Sequence, residues 1–400
     1  MMNKTWTRQE ARNILSESHG FSRLEDGRQG VLRCFQRHPC VQVDSIDVAG
    51  RNQDFTLYSR LRNYRREHLQ DLLYEERALF EYYCKMLSIL PVETYPIFGF
   101  RMKEQQQKYR PFFEKHKAEI DYILDAVKEG PICSRDLKHM GTTQWSWGQR
   151  ARVGNTLLTR LWAAGELMVH HRSGNTKYYG LTEDIIPEEY LEEQRPEKED
   201  ALKEVASLIV RSSRIVSPSK APEQWYGVGK VKEVRQTLAA LVREGRVFTV
   251  NVEGWRGKLY CPAEDEQLWE EGAGQEESFV RFLAPLDPLL WNRALFQHIY
   301  GHEYVWEVYK KKEDRIYGYY CLPILFGGEY VGLIEPRFRS EDGVLEIRSL
   351  HLFNSLDGQR TFNEMFNEEL VRFVNYLGAE HIENHTGHEW LDELLDSLPS

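Results

Sequence analysis

An apolar helix pattern that stops at a glycine and then turns strand-like occurs twice in this chain, about eighty positions apart. The first copy runs Thr156-Leu157-Leu158-Thr159-Arg160-Leu161-Trp162-Ala163-Ala164-Gly165-Glu166-Leu167-Met168-Val169, and the second runs Gln236-Thr237-Leu238-Ala239-Ala240-Leu241-Val242-Arg243-Glu244-Gly245-Arg246-Val247-Phe248-Thr249-Val250. In each, apolar residues recur at helical spacing, the glycine supplies a left-handed cap, and a β-hairpin follows. The first hairpin tip is Arg172-Ser173-Gly174-Asn175, returning through Lys177-Tyr178-Tyr179; the second is Glu253-Gly254-Trp255-Arg256-Gly257, returning through Lys258-Leu259-Tyr260. Another amphipathic helix precedes each copy, Glu119 to Lys128 and Ala201 to Val210. Helices followed by a two-stranded hairpin are the layout of a winged helix. The expected class is therefore α+β, with tandem winged-helix units followed by a β-rich C-terminal domain.

This pattern gives a winged-helix unit over 118–190 and another over 197–263, followed by a β-rich domain over 278–400; a third winged-helix unit over 1–117 fits the helical N-terminal third, although its wing is less obvious from pattern alone. The Glu- and Pro-rich stretch 181–200 and the acidic stretch Glu264 to Glu277 read as linkers. In the last part, Tyr304 to Tyr309 and Ile316 to Tyr320 are expected to flank the polar tip Lys310 to Arg315 as strands. Tyr330 to Pro336 and Leu345 to Leu350 supply further strands, and a helix from Thr361 to Leu377 closes the domain. At the other end, Thr7 and Glu10 form a capping box for a helix reaching Glu17. A second helix spans Gly30 to Arg37, and a helical pattern returns from Glu67 to Leu87.

Composition excludes several classes. No stretch approaches the roughly 18 consecutive apolar residues of a membrane span, and the first residues lack the apolar core of a signal peptide. Six cysteines without a C-x-x-C pair argue against a disulfide framework or a cysteine zinc site, and suit a reducing cytosol. The net charge of -10 discourages a nucleic-acid partner at first sight. Yet residues 181–206 carry -7 and residues 361–400 carry -8, which leaves +5 on the rest. A binding groove needs only a local patch. Basic clusters occur at Arg60, Arg62, Arg65 and Arg66, interleaved with Tyr58 and Tyr64, and again at Arg101, Lys103, Lys108 and Arg110 beside Tyr109. Each also reads as a solvated helix face.

The segment with chemistry is Cys40-Val41-Gln42-Val43-Asp44-Ser45-Ile46-Asp47. On an extended backbone Gln42 and Asp44 share one face while Val41 and Val43 anchor the other. An amide beside a carboxylate suits the activation of water or the stabilisation of a cation. The same spacing also fits Asp44 as the cap of the next helix, with Asp47 completing the pair.

The run Gln42-Val43-Asp44-Ser45-Ile46, followed by Thr56-Leu57-Tyr58-Ser59-Arg60-Leu61-Arg62-Asn63-Tyr64, resembles the YcaQ/AlkZ family of bacterial winged-helix DNA glycosylases. So do Leu79-Phe80-Glu81-Tyr82-Tyr83 closing with Leu90-Pro91, Arg101-Met102, and Leu161 to Met168. Leu283-Ala284-Pro285-Leu286-Asp287-Pro288-Leu289-Leu290-Trp291-Asn292-Arg293 and Tyr317-Gly318-Tyr319-Tyr320 extend the likeness over roughly residues 7 to 380 in collinear order. The resemblance implies tandem winged helices around a concave DNA channel and hydrolysis of the N-glycosidic bond of alkylated purines such as N7-alkylguanine. Some members unhook interstrand crosslinks. Gln42-Val43-Asp44 looks like the Gln-x-Asp form of the catalytic motif, with Gln42 and Asp44 as the catalytic pair. The expected DNA contacts are Arg51, Ser59, Arg60, Arg62, Tyr64, Lys85 and Arg101, together with Lys311, Lys312 and Arg315 from the basic tip Lys310 to Arg315, which also reads as a solvated turn. Where relatives carry a histidine after the Glu-Tyr-aromatic run, this chain has Cys84-Lys85-Met86, and Lys85 reads as a phosphate-neutralising or surface lysine ahead of an amine that attacks the sugar C1′. The implied enzyme is a monomeric, monofunctional, cytoplasmic glycosylase without cofactor or metal, acting on double-stranded DNA.

Other signals are weaker. His381 and His385 stand one helical turn apart, with His388 beyond, a loose zinc spacing that more simply reads as surface histidines. Gly227-Val228-Gly229-Lys230 is too short for a P-loop. Trp145 and Trp147 suit either base stacking or a core. Tandem winged helices without catalysis would make a DNA-binding regulator instead, although no heptads offer the dimer that paired half-sites require.

Overall fold

The computed structural model describes residues 4–144, 150–274, 278–356 and 359–396, so Trp145 and Trp147 lie outside the described residues. The chain is α+β and divides into two compact units: residues 1–68, 84–86 and 206–400 form one, and 69–83 with 87–205 form the other.

In the first unit, Thr7 caps the helix Arg8–His19 with the expected box: its Oγ1 accepts from the Glu10 amide at 3.1 Å, and Glu10 Oε2 accepts from the Thr7 amide at 2.9 Å. The strand Thr5–Trp6 pairs in parallel with Val247–Val252, which pairs antiparallel with Leu259–Pro262. The second repeat therefore takes its expected form, with the helix Val231–Arg243 ending before Gly245 at φ 69°. Further along, a five-stranded sheet runs in the order Val280–Phe282, Leu322–Phe326, Glu329–Arg339, Val344–Leu352 and His381–Asn384. The helix Arg360–Leu377 lays Phe362, Phe366, Leu370 and Phe373 on it, with Phe282 5.6 Å from Phe366 and 5.7 Å from Phe373. Each such ring contributes on the order of 2 kcal/mol by leaving water.

In the second unit, the helix Val153–Ala163 ends before Gly165 at φ 79°, and the hairpin Leu167–Ser173 with Thr176–Leu181 follows. A Cβ at Gly165 would come 2.8 Å from Met102 Sδ and push that side chain aside, while the positive φ favours glycine on its own account. The helix Lys117–Glu129 precedes this repeat. The buried Glu81 receives Arg172 Nε at 2.7 Å. Burial alone would raise its carboxyl, but the Arg172 bond, the charges of Arg172 and Lys177 and the Tyr74 hydroxyl together outweigh burial and hold it below the usual range.

Five expectations change, the first being the linker expected over 181–200, which holds the short helices Thr182–Ile185 and Glu188–Glu192. Residues 67–87 are helical only at first: a π-turn over Asp71–Glu75 gives way to the hairpin Leu79–Tyr83 with Leu87–Pro91. The aromatic run Leu79-Phe80-Glu81-Tyr82-Tyr83 favours a pleated surface over a helix, and Arg77 at φ 56° breaks the chain before it. The stretch expected as a linker from Glu264 begins as a helix, Glu266–Glu271, whose Trp269 is fully buried in the core; residues 275–277 lie outside the described residues. His381–Asn384 is a strand, so His381 and His385 do not share a helical face. Glu346, Glu383 and His385 do gather ligand atoms within 4.8 Å. Arg339 and Arg348 nevertheless donate to both oxygens of Glu346 at 2.7 and 3.0 Å.

Residues 304–320 are not a hairpin. They form a loop with one-turn helices at Glu307–Tyr309 and Lys312–Asp314. The cause is the buried Glu307 carboxylate, which accepts the amides of Ile316 (2.9 Å), Tyr317 (2.7 Å) and Gly318 (3.3 Å) and the Lys310 ammonium (2.8 Å). These amides cannot then join a ladder. Burial alone would raise this carboxyl, but the donors outweigh it and bring it down to about 2. Its stabilisation is present above 4.5 and is lost as pH falls towards about 2. Glu307→Ala is expected to open the loop, seen as new proteolytic cleavage between residues 307 and 318 at neutral pH. Unchanged cleavage would deny the carboxylate this role.

Candidate active site

Gln42 ends a two-residue strand, Val41–Gln42, and the chain from Val43 onward is irregular. Its fixed position comes from the helix Asn52–Tyr58. Asn52, almost fully buried, donates from Nδ2 to the Gln42 carbonyl at 2.7 Å and accepts the Leu286 amide on Oδ1 at 2.8 Å. Gln53 Oε1 accepts the Asp44 amide at 3.3 Å. Neither Asn52 nor Gln53 was foreseen. The available signal was two adjacent amides opening the helix after the motif.

Asp44 does not cap that helix. Arg51 holds the cap position without a side-chain bond. Instead Asp44 Oδ1 accepts the Ile46 amide at 2.8 Å, a local turn two residues long. The carboxylate is half-buried. Close by, Asp47 is paired with Arg51 Nε at 3.4 Å and with Arg66 NH2 at 3.3 Å. The fully buried Tyr320 hydroxyl has no hydrogen-bond partner among the described residues. Burial, and then the charges of Asp44 and Asp47, hold that phenol well above its usual range.

Lys85 lies against the motif. It is 7% exposed, and its Nζ donates to Gln42 Oε1 at 3.0 Å. The ammonium also lies 4.9 Å from the Trp291 ring centre, and the Trp291 indole N–H is used on the Leu286 carbonyl at 2.9 Å. Burial lowers the lysine to about 8.

The expected DNA contacts divide sharply. Arg60 is 3% exposed and grips the wholly buried Asp287 with two bonds of 2.7 and 2.9 Å. It also donates to the Thr56 carbonyl at 2.8 Å. No phosphate can reach it. Ser59 is buried, donating to the Thr56 carbonyl at 3.1 Å. Tyr64 is buried too, its hydroxyl donating to Asp54 at 2.7 Å and its ring stacked on Tyr376, so it offers no face to a base. Lys85 spends its ammonium on Gln42 rather than facing solvent. These four are corrections to the expected contacts. Arg62 is exposed, Arg51 is partly so, and Lys311 and Lys312 are exposed on the Glu307 loop, where Arg315 covers Tyr319 at 4.7 Å. Arg101 belongs to the second unit, on the helix Gly99–Lys115, and donates to the Tyr83 carbonyl.

A family model described as DNA glycosylase AlkZ-like matches residues 36–374, most of the chain and all of the motif just described. The chain belongs to the AlkZ-like DNA glycosylase family. Among solved structures it resembles the Streptomyces sahachiroi DNA glycosylase AlkZ, with a TM-score of 0.59 and 14% identity over 96% of this chain and 100% of that one. That likeness speaks for the fold; the family match speaks for DNA glycosylase chemistry and DNA repair, and displaces the regulator reading. None of the helices among the described residues of this glycosylase is long and apolar enough to cross a membrane.

Proposed function

We propose that this glycosylase hydrolyses the N-glycosidic bond of alkylated purines such as N7-alkylguanine in double-stranded DNA, with Asp44 and Gln42 as the catalytic pair. The observation that carries this reading is the local geometry of Asp44. One oxygen is spent on the Ile46 amide, and no partner is recorded among the described residues for the other, which is thus available to a cation and a water.

The chemistry asks little more. Alkylation at N7 makes the purine a cationic leaving group. The C1′–N9 bond breaks, its electron pair neutralises the purine, and the sugar gains oxocarbenium character. Asp44 stabilises that cation and takes a proton as water adds to C1′. Gln42 orients the water or the sugar. With water as the nucleophile, the enzyme is monofunctional. Arg51, Arg62, Lys311, Lys312 and Arg315 of the first unit and Arg101 of the second supply phosphate contacts in this reading, and winged-helix units over 1–117, 118–190 and 197–263 precede the β-rich domain over 278–400. The exposed lysines of the Glu307 loop, beside Tyr309 at 82% exposure, suit a surface laid against DNA. Unhooking of interstrand crosslinks by a cytoplasmic monomer is consistent with the same chemistry.

A duplex oligonucleotide carrying one N7-methylguanine, incubated with the protein, is expected to release the free base well above the spontaneous rate. Binding without release would overturn the substrate reading.

A further inference from the structure

An amide side chain has two chemically opposite ends, and the identity of Gln42 does not decide which one meets the substrate. Lys85 decides it. An ammonium has three donors and no acceptor, so the atom of Gln42 that lies 3.0 Å from Nζ must be the amide oxygen. The Gln42 nitrogen, with both its hydrogens, is thereby turned away from the lysine. The backbone of Gln42 is pinned by Asn52 at 2.7 Å, so the side chain pivots from a fixed point. Lys85 is equally constrained by burial and by the Trp291 ring. Around it stand the Cys40 and Cys84 thiols, the Glu223 carboxylate and the Arg293 guanidinium.

We infer that Lys85 is a positioning residue for base excision, holding Gln42 as an obligate hydrogen-bond donor so that Gln42 binds a lone pair of the attacking water or the sugar while Asp44 alone takes the proton. This rests on the catalytic reading of Gln42 and Asp44 given above. Division of labour follows from it: a donor on a lone pair of the water and an acceptor on one of its protons give the two residues different roles. Misorientation of a reacting group by about 1 Å costs on the order of a hundredfold, and a freely turning amide loses part of that.

The charge on the lysine matters as well as its place. Burial brings Lys85 to about 8. Above that pH the neutral amine carries a lone pair, can accept from Gln42 Nε2, and lets the amide turn over. Release of N7-methylguanine by the wild type is therefore expected to fall as pH rises through about 8, beneath which the ammonium is intact.

The test is base release from the N7-methylguanine duplex between pH 6.5 and 9 by the wild type, Lys85→Arg and Lys85→Met, each checked for an unchanged melting temperature. Lys85→Met, similar in volume, is expected to lose about tenfold at pH 7 and to show no alkaline limb. Lys85→Arg, charged throughout, is expected to keep more activity than Lys85→Met and to lose the limb. No release by the wild type would overturn the catalytic reading and this inference with it. Release by the wild type with Lys85→Met equally active, or with the limb retained in Lys85→Arg, would overturn the inference alone. So would covalent trapping of DNA on Lys85 by borohydride, because the amine would then be a nucleophile.

Discussion

Asp44→Asn is expected to slow base release by about a hundredfold or more, on the order of 2.7 kcal/mol of transition-state stabilisation, while binding and folding stay close to wild type. The substitution is informative because of what it keeps. Asn still offers an oxygen to the Ile46 amide, so the turn that Asp44 makes at 2.8 Å survives. The Gln53 bond is to the Asp44 backbone amide and is untouched. What disappears is a negative charge and a proton acceptor beside the sugar. An interaction made only in the transition state lowers kcat and kcat/KM together. Single-turnover release from the N7-methylguanine duplex, beside a binding titration on the same DNA, measures both. Equal rates for the two proteins would remove Asp44 from the chemistry and leave the turn as its only role.

The second large effect concerns stability. Arg60→Met should cost on the order of 3–5 kcal/mol, because it leaves the wholly buried Asp287 without its cation. That is a large share of the 5–15 kcal/mol typical of a folded protein. Arg60 also holds His19 Nδ1 at 3.0 Å, and His19 stacks on His38 at 5.1 Å. Both imidazoles are well below 6.5, first through burial and then through the Arg60 charge. They are neutral in the folded protein and take up protons on unfolding. Stability is therefore complete above about 6.5 and declines as pH falls below it. Urea unfolding at pH 7.5 should show the loss in Arg60→Met, and the wild type should be less stable at pH 5.5 than at 7.5. Adding Asp287→Asn to Arg60→Met should recover part of the loss, since the unpaired charge is gone while the cap on Leu289 keeps its oxygen. A double variant worse than the single would deny the ion pair its place in the fold.

These residues also show where pattern reading succeeds. The two repeats were legible because amphipathic spacing and a capping glycine are local devices, and Gly165 and Gly245 take the positive φ that ends each helix. The sheet strands Glu329–Arg339 and Val344–Leu352 and the helix Arg360–Leu377 were legible for the same reason. The Glu307 loop was not: alternating aromatics read as strands, and only a buried carboxylate taking three amides turns them into a loop. Burial of charge was hidden in the same way. Arg60 and Arg62 look alike in the run Ser59-Arg60-Leu61-Arg62, and a partner far away in the chain sends one inward and leaves the other in solvent. In the candidate site the motif itself was visible, but its geometry was not. Gln42 depends on Lys85 and Asn52, and Asn52 on Leu286.

The span of those bonds bears on how the protein is made. Asn52 meets the Leu286 amide across 234 positions, and Arg60 meets Asp287 across 227. At about 5–20 residues per second, a ribosome that has finished Arg60 needs roughly 10–45 s to deliver its partner. Throughout that interval the nascent chain carries the motif without the groups that shape it. A message truncated before codon 286 would thus encode every residue proposed to act on the bond and yield none of the site.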